Sequence, residues 1–357
     1  MSKRILVTGC SGFIGSHLTE TLLKQGHWVR GVDRIPSRHS AYTPSEFLNV
    51  DLCRYEECLA ATYDIDQVFH LASETGGLSY RSSNQALPVR NNTVASANLL
   101  EACRAHRVGR FLFASSAAVY PMQRQRSFQT TPLVEADVYP AMPEEGFGWE
   151  KLFTEQLCNY YSRDFGLEVR IARCDGIYGP QMHYEGGKEQ SVAALCRDIS
   201  QAKDDGSIVV WGDGKQRRSL LFVTDCVNAI ISIMNGEISS PFNVSSSDYL
   251  TINELAEKLI VLSGKRLTRK NDPSKIQGAR NRKSDNSKLL ELLGWRQETT
   301  LEQGLKITYD WIYQQLQLET EIPAPVRPNI RPKAARIRAI SRSVSSSSSV
   351  QREKKSA

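Results

Sequence analysis

The feature that most limits the fold lies near the start of the chain. Ile5-Leu6-Val7-Thr8 is a short apolar run that ends in Gly9-Cys10-Ser11-Gly12-Phe13-Ile14-Gly15, and helical spacing of Ile14, Leu18, Leu22 and Leu23 follows. In such a strand–turn–helix, Gly9 allows the tight turn and Gly12 lets backbone come close to a bound group. Gly15 lets the helix pack directly on the strand. The N–H groups exposed by the turn, those of Phe13 and Ile14 among them, combine with the helix dipole into a phosphate site. Asp33 closes the second apolar run. A carboxylate there accepts both hydroxyls of a ribose and repels a 2′-phosphate, so the pattern points to NAD rather than NADP. Asp51-Leu52, after the third run, is placed to frame the adenine.

The first half alternates strand and helix patterns. Candidate strands are Trp28 to Val32, Phe47 to Val50, Val68 to Leu71, Arg110 to Phe113 and Glu168 to Ala172, with helices such as Thr93 to Ala105 and one through Tyr161 between some of them. Apolar strands separated by helices predict an α/β fold, a Rossmann-type doubly wound parallel sheet covered on both faces. Residues 1–180 are expected to form this NAD-binding domain, with some later segments returning to it. Residues 181–320 are expected to form a smaller, mixed α/β substrate lobe, with helices at Ser191 to Ala202, Ile252 to Leu262 and Leu301 to Gln315. Short strands at Ile208 to Trp211 and Phe242 to Val244 belong to the same reading. The cleft between lobe and strand ends is the expected small-molecule site. Residues 321–357, rich in Arg, Pro and Ser, read as a disordered basic tail.

Charge argues against nucleic acid as a partner. The net charge is +6, but from residue 321 onward there are nine Lys/Arg against two Asp/Glu, leaving 36 against 37 in the rest. The body is neutral, so the basic balance is no nucleic-acid footprint of the folded part. No apolar run approaches eighteen residues, which excludes a membrane helix, and Met1-Ser2-Lys3-Arg4 leads straight into the first strand without a signal segment. The eight cysteines are scattered without metal-ligand spacing, so no metal is expected. They read as reduced, buried thiols of a cytoplasmic protein.

Further motifs occur in a fixed order: Ala114-Ser115-Ser116-Ala117-Ala118-Val119-Tyr120, Lys151 on a helix, Arg173-x-x-x-Ile177-Tyr178-Gly179-Pro180, and Gly212-Asp213-Gly214-x-Gln216-x-Arg218. With the glycine turn, they make the chain resemble the extended short-chain dehydrogenase/reductases, the NAD-dependent sugar-nucleotide epimerases and dehydratases. Within them it is most similar to the branch that epimerises GDP-mannose at carbons 3 and 5, from about residue 3 to about residue 317. The resemblance implies a sugar-nucleotide ligand contacted by Gly76, Arg218 and either Arg280 or Arg282, and a homodimer joined through a helix pair. It also implies that Ser116 and Lys151 belong to the catalytic group, with Lys151 binding the cofactor ribose.

The resemblance fails at the residues that move protons. The family uses a Tyr-x-x-x-Lys pair, and here the tyrosine is Phe147; a phenyl ring neither takes nor gives a proton. The branch's cysteine is Ala118 and its lysine is Gln190, and neither replacement exchanges protons at neutral pH. Its asparagine before Tyr-Gly-Pro is Gly176. Glu74, Glu144, Glu145, Tyr178, His183, Tyr184 and Lys188 are the remaining candidate acids and bases, and the aromatic rings of Phe147 and Trp149 are expected near the pocket. His17 and His70 read as packing residues. Three functions stay open: a sugar-nucleotide epimerase with a replacement base, a repurposed non-redox isomerase or cyclase of the secondary-metabolism type, and a non-catalytic sensor of NAD or sugar nucleotide.

Overall fold

The computed structural model describes residues 2–37, 42–127 and 131–321. The expected basic tail lies outside the described residues. Six strands form in chain order, β1 (Arg4–Thr8), β2 (Trp28–Asp33), β3 (Glu46–Asn49), β4 (Gln67–His70), β5 (Arg110–Ser116) and β6 (Glu168–Cys174). The helices α1 (Phe13–Lys24), α2 (Tyr55–Thr62), α3 (Leu78–Ser83), α4 (Ala86–Ala105) and α5 (Glu145–Phe165) connect them. α4 starts earlier than the apolar spacing suggests because Pro88 falls in its first turn, where a missing N–H costs no helical bond. α5 ends on Gly166 in the left-handed conformation, φ 71°.

Beyond β6 come β7 (Ile177–Tyr178), α6 (Ser191–Gln201), β8 (Ser207–Trp211), β9 (Arg217–Ser219), β10 (Leu221–Phe222), α7 (Val223–Asn235) and β11 (Phe242–Val244). The chain continues through β12 (Tyr249–Thr251), α8 (Ile252–Ser263), β13 (Thr268–Asp272), β14 (Asn281–Arg282), α9 (Ser287–Leu293) and α10 (Leu301–Glu321). The central sheet has seven parallel strands in the order β11-β6-β5-β4-β1-β2-β3. β11 therefore corrects the expectation that Phe242 to Val244 belongs to the lobe: it pairs with β6 through Phe242–Ala172 and Val244–Cys174. All three of its residues are buried, as suits a strand covered on both faces.

Alternation along β1 sends Ile5 and Val7 to one apolar cluster and Leu6 to another. The second cluster lies under α2, α4 and α5, with Leu99, Leu100, Cys103 and Cys158. The first, under α1 and α7, continues without a break into the lobe through Leu195, Leu255, Leu259 and Leu305. That continuity fixes the lobe over the carboxyl ends of the strands. Strand order reverses between β1 and β4, and a crevice at such a point is where open α/β sheets take ligands. No helix among the described residues is long and apolar enough to cross a membrane.

Candidate functional site

A cavity of about 610 Å³ lies at the carboxyl ends of the strands. Phe13, Ile14, Ser116, Phe147 and Lys151 line it from the sheet side, with Gly76 and Gly77 at its edge; Gln190, Trp211, Arg218 and Arg282 line it from the lobe.

The glycine turn is as tight as its sequence demands. Gly9 has φ 71°, and a Cβ on it would lie 2.8 Å from Ala72 N. A Cβ on Gly15 would lie 2.0 Å from the Gly9 carbonyl oxygen, so the first turn of α1 sits directly on the loop. α1 begins at Gly12 without a side-chain cap, which leaves its first N–H groups for a ligand. Asp33, at the end of β2, accepts from Ser11 N at 3.1 Å and from Arg34 N at 2.7 Å, which sets its carboxylate over the turn. These groups fit the pyrophosphate and ribose of NAD. Asp51 and Leu52 do not line the large cavity. Asp51 Oδ1 caps its own turn through Cys53 N at 3.0 Å, and Leu52 is buried, its carbonyl accepting from Asn98 Nδ2 at 3.2 Å.

On α5 the spacing of four residues puts Phe147 and Lys151 on one face. Lys151 is buried; its Nζ lies 4.7 Å from the Phe113 ring centre, 5.6 Å from that of Phe147 and 3.9 Å from Glu150 Oε1. Ser116 ends β5, and its Oγ accepts from Ala118 N at 3.2 Å, capping a 3₁₀ turn. Ala118 is completely buried and does not reach the cavity lining. A Cβ on Gly148 would lie 2.3 Å from the Ala118 carbonyl oxygen, which shows how closely α5 packs on that turn. Below the site, Arg173 and Glu155 form a buried ion pair at 2.7 Å, joined by Ser115 Oγ at 2.5 Å from Glu155.

The lobe contributes positive charge. Half-buried Arg218 donates to the carbonyls of Arg217 and Ala279, both at 2.7 Å, and burial together with the Arg282 charge brings its guanidinium down to about 10. Arg282 donates to Gln125 Oε1 at 2.7 Å and to Glu144 Oε2 at 3.0 Å. Burial alone would raise the Glu144 carboxyl, but Arg282 and Arg81 hold it down to about 2. Of the two arginines expected at the ligand, Arg282 is the one in the cavity. Arg280 is held instead in a two-point ion pair with Asp213, at 2.9 and 2.8 Å, and does not line the cavity. Trp149 also departs from expectation: it is 52% exposed and faces outward from α5, away from the pocket.

Most of the candidate acids and bases are committed elsewhere. Tyr178 is buried with its hydroxyl on the Leu301 carbonyl, Tyr184 packs edge-on against Trp311, and His183 is exposed outside the cavity. Glu74 accepts from the Tyr80 hydroxyl at 2.9 Å, and Lys188 lies over the Tyr80 ring. His17 and His70 are packing residues. His17 Nε2 meets the Pro180 carbonyl, and His70, pushed down to about 3 by burial, sits between Thr8 and Ser96. The sequence reading missed Asp175 and Cys174, which follow one another at the end of β6 and both line the cavity; position at a strand's carboxyl end was the available signal. Asp175 accepts from Ser284 Oγ at 2.8 Å, and burial pushes its carboxyl up. It missed Arg81 as well, which nothing in the spacing marks.

Comparison with known proteins agrees with this geometry. Residues 5–245 match the NAD dependent epimerase/dehydratase family. The chain is 39% identical to GDP-mannose 3,5-epimerase of Arabidopsis thaliana over 318 residues, 88% of this chain and 84% of that protein. The fold is similar to UDP-glucose 4-epimerase of Thermotoga maritima, solved with UDP-glucose, with a TM-score of 0.80 at 26% identity over 88% of this chain and 99% of that one. It is also similar to a Tyr-to-Phe variant of UDP-glucuronic acid 4-epimerase from Bacillus cereus, in complex with UDP-4-deoxy-4-fluoro-glucuronic acid and NAD. There the TM-score is 0.75 at 26% identity, over 87% of this chain and 99% of that one. The seven-stranded sheet agrees with the structural likeness, and the chain belongs to the NAD-dependent epimerase/dehydratase family.

Proposed function

We propose that this chain holds NAD on its glycine turn and a nucleotide-sugar-class ligand in the cavity, and that it is an isomerase-class enzyme whose reaction bypasses the family's tyrosine relay. One observation carries the reading. Lys151, Ser116, Arg218 and Arg282 converge on one cavity, and by the family resemblance Phe147, Ala118 and Gln190 fall at the positions of the branch's proton-transfer groups.

Gly9, Gly12, Phe13, Ile14 and Gly15 would hold the pyrophosphate, Asp33 the adenosine ribose, Asp51 and Leu52 the adenine, and Lys151 the second ribose. NAD supplies a hydride acceptor when bound. The chain's own part is to bind, orient and exclude water. Arg218 and Arg282 meet the ligand phosphates with planar donors, and Phe147 offers an apolar surface at the cofactor end. A reaction that needs no proton shuttle gains from such fixed orientation and electrostatics.

A second reading, epimerisation with a replacement base, is favoured by Asp175, a cavity carboxyl that burial pushes towards its protonated form. A homodimer fits the outward stripe of Trp149, Phe153 and Tyr160 on α5, 52%, 53% and 48% exposed. Native mass spectrometry of the purified chain tests the main reading: one NAD per chain together with a nucleotide-sugar mass is expected. A chain that carries neither, and takes up neither on addition, would refute it.

A further inference from the structure

Arg81 is the cavity arginine whose charge is paired only at long range and whose donors are not hydrogen-bonded. It belongs to α3, its side chain is 18% exposed, and its guanidinium carbon lies 5.3 Å from the centre of the Phe147 ring. None of its side-chain donors makes a hydrogen bond among the described residues, and its Nε is enclosed without a partner. Its nearest carboxylate oxygen, Glu144 Oε2, is 3.5 Å away and already receives Arg282 Nη2 at 3.0 Å. Glu145, next in the chain, is pushed towards its neutral form by burial and by the Glu144 charge, against the pull of the Arg81 charge. An enclosed guanidinium Nε left unmet is costly and needs a reason.

Its place supplies one. Phe147 stands where the family's proton-transferring tyrosine stands, so Arg81 faces the reacting end of the ligand. Arg218 and Arg282 reach the cavity from the lobe. The guanidinium is a planar fork of donors, which matches a carboxylate in shape and charge. Building on the nucleotide-sugar reading above, we propose that Arg81 forms a carboxylate subsite: the part of the ligand that lies against Phe147 carries a carboxylate, as a uronic-acid sugar does.

Calorimetric titration with two matched pairs, UDP-glucuronate against UDP-glucose and GDP-mannuronate against GDP-mannose, tests this on the NAD-loaded full chain. In at least one pair the uronate is expected to bind roughly 10- to 100-fold tighter, the worth of a charge-assisted hydrogen bond. Arg81→Leu and Arg81→Gln should both remove the preference and leave the affinities for NAD and for free GDP or UDP unchanged, which also reports that each variant is folded. Equal binding within both pairs, or a preference that survives in both variants, would overturn the subsite alone. Failure of all four sugar nucleotides to bind would overturn the nucleotide-sugar reading and the subsite with it.

Discussion

Replacing Gly15 with alanine should all but abolish cofactor binding, and the structure says by how much. The new methyl group would lie 2.0 Å from the Gly9 carbonyl oxygen, 2.8 Å from its carbonyl carbon and 3.0 Å from Cys10 Cα. Non-bonded carbon contacts are comfortable at roughly 3.5–4.0 Å, so loop and helix must separate by more than about 1 Å. Overpacking of this kind costs about 1–3 kcal/mol of stability. The same displacement misaims the turn's N–H groups. Two charge-assisted bonds lost at about 1.5 kcal/mol each weaken NAD by roughly 100-fold. Gly26→Ala is the matched control: Gly26 has φ 80° with nothing within 4 Å, so its added Cβ strains the backbone by about 1–2 kcal/mol without touching the site. Calorimetric titration of NAD into both variants, with urea denaturation of each, separates the two effects. Gly15→Ala binding NAD as tightly as wild type would refute the placement of the cofactor on this turn.

Four further outcomes are expected. Glu144, held near pH 2 when folded against 4.5 when free, contributes about 3 kcal/mol that is fully present above pH 4.5 and is lost as pH falls towards 2. Denaturation of Glu144→Gln should show a flatter acid limb than wild type. Arg173→Leu strands the buried Glu155 and should cost about 3–5 kcal/mol in chemical denaturation, while the double change with Glu155→Leu should recover most of it. Phe147→Tyr should give a phenol titrating below its usual value beside the Lys151 ammonium, read from tyrosinate absorbance. It should not restore epimerisation, because Ala118 and Gln190 remain. Trp149→Glu with Phe153→Glu should turn a dimer into a monomer by light scattering, with stability changed by about 0.5 kcal/mol or less per site.

The sheet and the cofactor turn were legible because both depend on local pattern. Apolar runs broken by helices give parallel strands, and glycines at close-approach positions leave no alternative residue, as the 2.0 Å contact at Gly15 demonstrates. What stayed hidden depends on contacts far apart in sequence. The three residues Phe242 to Val244 carry no sign of whether they join β6 or the lobe; burial on both faces decides it. Arg280 and Arg282 look equivalent as written, and Asp213, 2.8 Å from Arg280, separates them. Trp149 and Phe147 are neighbours on α5, yet the helix turns one outward and the other into the cavity. Arg81 takes its meaning from Phe147 and Glu144, both remote from it in the chain.

The separation of fold from proton transfer is most directly tested by incubating the NAD-loaded chain with GDP-mannose in deuterium oxide and weighing the recovered sugar nucleotide. With phenylalanine, alanine and glutamine at 147, 118 and 190, GDP-mannose is expected to return without deuterium at carbons 3 and 5. Deuterium at either carbon would contradict that result and show that another group, Asp175 first among them, has taken over the relay.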